Sequence, residues 1–385
     1  MRIALVTESF LPSLNGVTTS VCRVAESLRD LGHEAAIVAP GPAPASYAGH
    51  RVHALPGVPV RGFRAGMPTT ALRRALDDFA PDVMHLASPF LVGAAGLTHA
   101  ERRGVPTVAI YQTDMPSYVA QYGPGALGRG AERATWEWVR RLHSRTDRTL
   151  APSRPTLHEL RRHDIPRTGL WGRGVDTRLF RPDRQDDSRT LELRRALAPG
   201  GEVLLGYVGR LAPEKELHRL AAIARLPGTR LVVVGEGPSR REIGARLAEA
   251  VASSGGRPNL PPAFLGPMTG EGLARAYAAL DVFVHTGTKE TFGQTLQEAA
   301  ATGLPVLAPA VGGPLDLVRH GETGYLYDPD DGRDMARWAV ELVHDAGRRH
   351  RMGQAGALMV ADRSWHALTE RLVGHYDEVV GARAA

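Results

Sequence analysis

The sequence predicts an α/β protein built as two Rossmann-like, doubly wound parallel-sheet domains that face a central cleft. Three observations carry this reading. Short apolar runs alternate with stretches of helical period along the whole chain. The alternation occurs twice, on either side of a polar, turn-rich segment at 176–201. The 385 residues, 43% hydrophobic and 23% charged, suffice for two or three domains of about 150 residues each.

In the first half, strands are expected near 2–7, 34–39, 51–55, 82–87, 106–111, 147–151 and 168–172. Helices are expected near 17–31, 69–79, 91–103, 129–144 and 154–163. The second half repeats the pattern, with strands near 203–208, 230–235, 262–265, 281–285, 305–308 and 325–327. The expected domains are 1–175 and 176–363. Ligands of such sheets bind beyond the carboxyl ends of the strands.

Composition narrows the function classes. No run of 18–20 apolar residues marks a membrane span, and MRIALVTESF turns polar too soon for a signal peptide. A lone cysteine, Cys22, excludes an internal disulfide and suits a reducing cytoplasm. A net charge of +6 favours an anionic partner.

The richest segment is Asp281–Gly313, read as strand, loop, helix, strand and Gly-Gly turn, with Gly303 as the helix stop. The first helical amides, placed at Thr291, Phe292, Gly293 and Gln294 with Thr295 following, offer a dipole end for an anion or a ring of hydroxyls. Glu290 precedes them and Glu298 lies two turns on, so a ligand could meet a carboxylate at each end. Helix-end decoration is the alternative reading. Of 47 basic residues only Lys215 and Lys289 are lysine, so each is a candidate for a place that needs a compact ammonium. In GYVGRLAPEKE a strand ends at Gly209-Arg210 and a helix is expected to begin near Lys215. That places Arg210 and Lys215 to clamp a diphosphate, unless Lys215 merely pairs with Glu214 or Glu216.

The first half offers loops at the same edge. Asn15-Gly16 precedes a helix, making Gly16 either an anion seat or a turn glycine. Tyr111, Gln112, Thr113 and Asp114 leave a strand together, followed by Tyr118 and Tyr122. Between 129 and 167 ten arginines face five acids, with Trp136 and Trp138 among them. Peripheral contact with anionic lipid and an ordinary solvated helix face are the competing readings, ahead of nucleic acid.

Taken together, GYVGRLAPEK, LVVVGEGPSR, AFLGPM, the E-x7-E segment and GGPLDLVRHGETGYLY resemble the retaining glycosyltransferases of family 4, of GT-B fold. NGVTTSV, DVMHLASPF, YQTD-x-P-x-Y and WGRGVDTRLFRP look most like the GDP-mannose-dependent α-mannosyltransferases that act on lipid-linked acceptors, with sulfoquinovosyl-diacylglycerol synthases a near neighbour. The resemblance implies that Arg210 and Lys215 hold the donor diphosphate and that Gly16 approaches it. It implies that Glu290 and the amides around Phe292-Gly293 hold the hexose, that Glu298 grips the ribose, and that Met268 lines the base pocket. It implies no metal and no cofactor beyond the nucleotide-sugar donor. The last helix, 364–385, is implied to pack back on the first domain. Gln112 stands where many relatives carry histidine. It can hydrogen-bond a hydroxyl but cannot take a proton, so the implied chemistry is one in which the departing phosphate oxygen accepts the acceptor's proton.

Other signals are declined. Asp328-Pro-Asp330 reads as a turn rather than a metal motif. GEGPSR lacks the third glycine of a dinucleotide fingerprint, and His158 and His163 are out of phase for a shared zinc. The alternatives kept open are a UDP-sugar donor, a sugar-nucleotide epimerase of the same fold, and a non-catalytic nucleotide-sugar-binding or nucleic-acid-binding protein.

Overall fold

A computed structural model describes residues 1–13, 15–60, 63–116, 125–253 and 259–384. Tyr118 and Tyr122 lie outside them. The chain divides into two compact units, 1–174 with 365–385, and 175–364.

Unit 1 contains β1 (Arg2–Val6), α1 (Gly16–Asp30), β2 (Glu34–Pro40), β3 (Ser46–Tyr47), β4 (His50–Leu55), β5 (Gly57–Val60) and β6 (Phe63–Gly66). There follow α2 (Thr70–Phe79), β7 (Val83–Leu86), α3 (Leu91–Arg103), β8 (Thr107–Ile110), α4 (Gly125–His143), β9 (Arg148–Ala151), α5 (Arg154–Arg162) and β10 (Thr168–Leu170). The main sheet runs β10-β9-β8-β7-β1-β2-β4-β3, parallel except for the short β3. Between the strand expected at 51–55 and the helix expected at 69–79, where no element is expected, lies the antiparallel hairpin β5–β6. Its Gly-Val-Pro-Val strand has too short an alternating pattern to be recognised as β.

The strands are apolar on both faces because both are covered. Val21, Val24 and Leu28 of α1 bury one face together with Leu368, Leu372 and Tyr376 of the C-terminal helix Trp365–Ala384. Leu72 and Leu76 of α2 and Val92 and Leu97 of α3 bury the other. Cys22 is core filler, as its helical phase suggests. The C-terminal helix is fastened by polar contacts as well: Trp171 Nε1 donates to the Leu368 carbonyl at 2.7 Å, and the Tyr376 hydroxyl meets His85 Nδ1 at 2.6 Å.

Unit 2 contains α6 (Ser188–Leu197), β11 (Val203–Val208), β12 (Thr229–Val234), α7 (Arg240–Ala252), β13 (Ala263–Gly266), α8 (Gly270–Ala278), β14 (Val282–Val284) and α9 (Gln294–Ala301). It closes with β15 (Val306–Pro309), α10 (Pro314–Leu317), β16 (Gly324–Tyr327), α11 (Asp334–His344) and α12 (Ala346–Val360). Its sheet, β13-β12-β11-β14-β15-β16, is parallel throughout. The seam 176–201 carries no strand, as expected, but α6 belongs to the unit: Arg194 of α6 binds Asp281 with both oxygens, at 3.0 and 2.9 Å. No helix begins near Lys215. Two 3₁₀ turns, Pro213–Lys215 and Leu217–Ala222, stand there instead, separated by Glu216 in the left-handed region at φ 49°, which ordinary helix cannot pass through.

Among the described residues no helix is long and apolar enough to cross a membrane. In the arginine-rich stretch, Arg140 and Arg141 pair with Glu137, Arg145 with Glu101 and Arg148 with Glu378. The Trp136 ring stacks on His163 with centroids 3.7 Å apart and lies beside Tyr111, while Trp138 is exposed.

His85 and His143 are wholly enclosed in unit 1, and burial lowers them to about 3 and about 4. An unfolded histidine titrates near 6.5. Between those values the unfolded chain binds protons that the native state refuses, so stability falls as pH drops through this window. Lowering the pH from 7 to 5 should cost about 2 kcal/mol per histidine. Urea unfolding of unit 1 at the two pH values measures this, and equal midpoints would contradict it.

Candidate active site

In unit 2 the strand order reverses between β11 and β14, which are neighbours in the sheet although β12 and β13 intervene in sequence. Loops leaving two such strands diverge to opposite faces and leave a crevice at the carboxyl edge. Lys215 follows β11 and Glu290 follows β14, and their side chains meet there, Nζ to Oε2 at 2.8 Å. Both are largely buried, with 26% and 19% of the side-chain surface exposed, so removing either partner leaves a charge that water screens poorly.

Glycines make the approach possible. Gly206 at the centre of β11 leaves room for Leu280, which a Cβ would strike. Gly235 (φ 132°) and Gly237 (φ 157°) press against the carbonyls of Gly209 and Leu211, locking GEG onto the loop that carries Arg210. Gly312 and Gly313 press on Glu290 and Phe292, and the Gly313 amide donates to the Glu290 carbonyl at 2.7 Å. The loop after β14 is further clasped to the turn around Lys215. The Thr286 hydroxyl donates to the Lys215 carbonyl at 2.5 Å, and the Thr288 hydroxyl to the Glu216 carboxylate.

Arg210 lies on the same edge, with its guanidinium on Glu214. The buried Tyr207 hydroxyl donates to the Arg210 carbonyl at 3.1 Å. Burial raises the Tyr207 pKa, and the carboxylates of Glu290 and Glu214 raise it further against the opposing Arg210 charge. One phenol thus senses the whole charged cluster. Lys289 is exposed.

The helix after Glu290 begins later than its sequence suggests. Gly293 is its N-cap at φ 102°, and the first helical residue is Gln294. Thr291, Phe292 and Gly293 therefore form the approach to α9, and the Phe292 side chain is core. The forward amides are those of Gln294 and Thr295, because the Leu296 amide already donates to the Gly293 carbonyl at 3.0 Å. Glu298 lies on α9, and its Oε2 accepts from the fully buried Tyr277 hydroxyl at 3.0 Å. Met268, just past β13, is partly buried against the core. Asp328 accepts from the Asp330 amide at 2.9 Å, a turn.

Unit 1 gathers a second polar cluster. Gln112 is buried at the end of β8; its Nε2 donates to the Ala87 carbonyl and its Oε1 accepts from Arg173 Nη2 at 2.8 Å. Arg173 Nη1 would lie 3.0 Å from a Cβ at Gly16, so the glycine gives the guanidinium its place over the start of α1. The following amides, Val17 and Thr18, are capped by the Asn15 side chain at 3.0 Å each. The seat expected at Gly16 is thus narrower than an open helix end. Glu8 accepts from the Phe90 and Gly93 amides at 3.0 and 2.9 Å, and burial outweighs those bonds to raise it to about 7.

Sequence reading missed Arg173 and Tyr277, tied to their partners across 61 and 21 residues, and also Tyr207 and His285, which read as strand residues. The RGVD run containing Arg173 and the position of His285 at a strand end were the available signals.

Residues 14–179 match the model of Glycosyltransferase Family 4, and residues 188–359 that of Glycosyl transferases group 1. The chain is 44% identical over 393 aligned positions to a GDP-mannose-dependent alpha-mannosyltransferase of Mycolicibacterium smegmatis, covering 100% of this chain and 99% of the relative. It is 31% identical to the sulfoquinovosyl transferase SQD2 of Arabidopsis thaliana, over 76% of this chain and 56% of that protein. A solved sucrose-phosphate synthase from Thermosynechococcus elongatus superposes with a TM-score of 0.82 at 23% identity, covering 99% of both chains, a likeness of fold.

Substituting Gly235→Ala puts a methyl against the Gly209 carbonyl at a φ that L-residues avoid. It should destabilise unit 2 by about 1–3 kcal/mol in chemical denaturation. An unchanged midpoint would refute the locking role given to GEG.

Proposed function

The chain belongs to glycosyltransferase family 4, and we propose that it transfers mannose from GDP-mannose, with retention, to a lipid or glycolipid acceptor. The observation that carries this reading is the Lys215–Glu290 pair at the strand-order reversal of unit 2. It supplies a cation for a diphosphate beside a carboxylate for hexose hydroxyls. The choice of mannose and guanosine is supported by the full-length relative at 44% identity.

In this scheme the donor diphosphate lies across the carboxyl edge of β11, where Arg210 and Lys215 offset the charge that grows as the glycosidic bond breaks. The hexose lies over the approach to α9, with Glu290 accepting from its hydroxyls and the Gln294 and Thr295 amides facing it. Glu298, oriented by Tyr277, takes the ribose, and Met268 lies along the base. The acceptor hydroxyl attacks from the face that the phosphate leaves. Its proton passes to the departing phosphate oxygen, so no protein base is needed and Gln112 is no obstacle. Gln112 serves instead to hold Arg173 beside Gly16 within unit 1. The two basic side chains take the role that a divalent cation plays in other transferases, so the scheme is metal-independent. Peripheral contact with anionic lipid, through the exposed part of the arginine-rich stretch, is the natural way to reach such an acceptor.

Radiolabelled GDP-mannose incubated with the protein and membrane lipids should yield a labelled lipid product whose new linkage is α. Calorimetry should show binding of GDP in preference to UDP and NAD. A preference for UDP would move the donor to a UDP-sugar, and indifference to all three would overturn the reading. Lys215→Met and Arg210→Met should each lower kcat/KM by about 10²–10³, the usual loss of one preorganised donor, with folding intact by circular dichroism.

A further inference from the structure

The Lys215–Glu290 pair has a neighbour that the scheme above leaves idle. His285 follows β14 directly, and its side chain is 3% exposed. Its backbone is pinned on both sides: the amide donates to the Leu307 carbonyl at 2.8 Å and the carbonyl accepts from the Tyr327 hydroxyl at 3.2 Å. Yet neither ring nitrogen has a hydrogen-bond partner among the described residues. The nearest polar groups are the Gly287 backbone, close enough to favour the protonated ring through a poorly aligned contact, and the Glu290 carboxylate at 3.8 Å. Buried polar groups are almost always satisfied, so one left open at a ligand site calls for a reason.

The distances supply it. His285 Nε2 is 3.8 Å from Glu290 Oε2, the same oxygen that accepts from Lys215 Nζ at 2.8 Å. The imidazole is neutral near pH 7, because burial lowers it to about 4, and so it carries one N–H. A carboxylate this enclosed gains from a further donor when its cation is drawn away. Three neighbouring side chains of the loop are engaged elsewhere or face solvent. The Thr286 and Thr288 hydroxyls are committed to the Lys215 carbonyl and to Glu216, and Lys289 is exposed.

We propose that His285 is a positioning residue for the donor sugar: when a bound diphosphate draws Lys215 Nζ off Glu290, the His285 Nε2–H donates to Glu290 Oε2 and keeps the carboxylate aimed at the hexose. The ring is fixed, so the movement is a turn of the Glu290 side chain that closes about 0.8 Å, to an ordinary N–H···O length. No proton is transferred; one hydrogen bond is exchanged for another. The proposal rests on the assignment of Lys215 to the diphosphate.

The test separates the two. His285→Phe keeps the shape of the ring and removes the donor, whereas His285→Gln keeps an N–H at a similar reach. GDP also draws Lys215 off Glu290, so H285F should bind it about tenfold more weakly than the parent, the cost of leaving that carboxylate without its donor. With GDP-mannose its kcat should fall about tenfold to a hundredfold, the range that a hydrogen bond to a charged group spans. H285Q should recover most of that loss. Parental turnover in H285F overturns the proposal, as does equal impairment of H285F and H285Q, which would mark a packing role. Undiminished GDP affinity in Lys215→Met would instead overturn the diphosphate assignment. Should H285F not fold, the parent protein labelled with ¹⁵N-histidine gives the answer. Saturation with GDP, verified by calorimetry, should shift the His285 Nε2–H signal downfield, and an unmoved signal overturns the proposal.

Discussion

An ammonium and a carboxylate 75 residues apart in sequence meet at 2.8 Å where the second sheet reverses its strand order. Holding two charges so far out of water is costly unless the backbone around them leaves no alternative. The surrounding loops meet that demand through contacts only glycine allows: GEG against the Arg210 loop, and Gly312-Gly313 against Glu290. Two threonine hydroxyls then tie the loop after β14 to the turn that presents Lys215. The catalytic scheme presupposes this rigidity, since positioning and preorganised charge are all that it has to offer.

Unit 1 solves a different problem. Its polar residues at the sheet edge are mostly turned on one another: Gln112 on Arg173 and Ala87, Asn15 on the start of α1, and Glu8 on the start of α3. Arg173 illustrates the economy. A glycine at position 16 leaves space for its guanidinium and a buried amide fixes its orientation, so a flexible side chain becomes a fixed donor array. Gln112 thus has a structural role: its amide accepts from Arg173 and donates to the Ala87 carbonyl at once.

Much of this was legible in the residue order. Apolar runs bounded by glycine located the strands of the second unit within a residue or two, with β11 at 203–208 as read, because buried parallel strands are uniformly apolar. The scarcity of lysine singled out Lys215, but the ion-pair partners read for it were Glu214 and Glu216, whereas the fold brings it to Glu290. Elsewhere local pattern was overruled. Glu216 at positive φ broke the helix expected near Lys215, and Gly293 delayed α9 by three residues; nothing in either side chain announces the angle that tertiary packing imposes. The hairpin β5–β6 hid in a segment that reads as loop. Tyr277, 21 residues before the carboxylate it orients, and His285, read only as part of a strand, show their roles only when the chain is folded.

The C-terminal helix has a consequence for how the protein is made. Leu368, Leu372, Tyr376 and Val379 complete a core whose other buried members lie in the first 171 residues, while the whole of 175–364 intervenes. A ribosome therefore releases the continuous second unit in full before the first can cover its sheet. That unfinished face, lined by Ile3, Leu5 and Ile37, stays open to water and to misassociation during translation of nearly two hundred residues. The earlier-born half of the molecule is the later to mature.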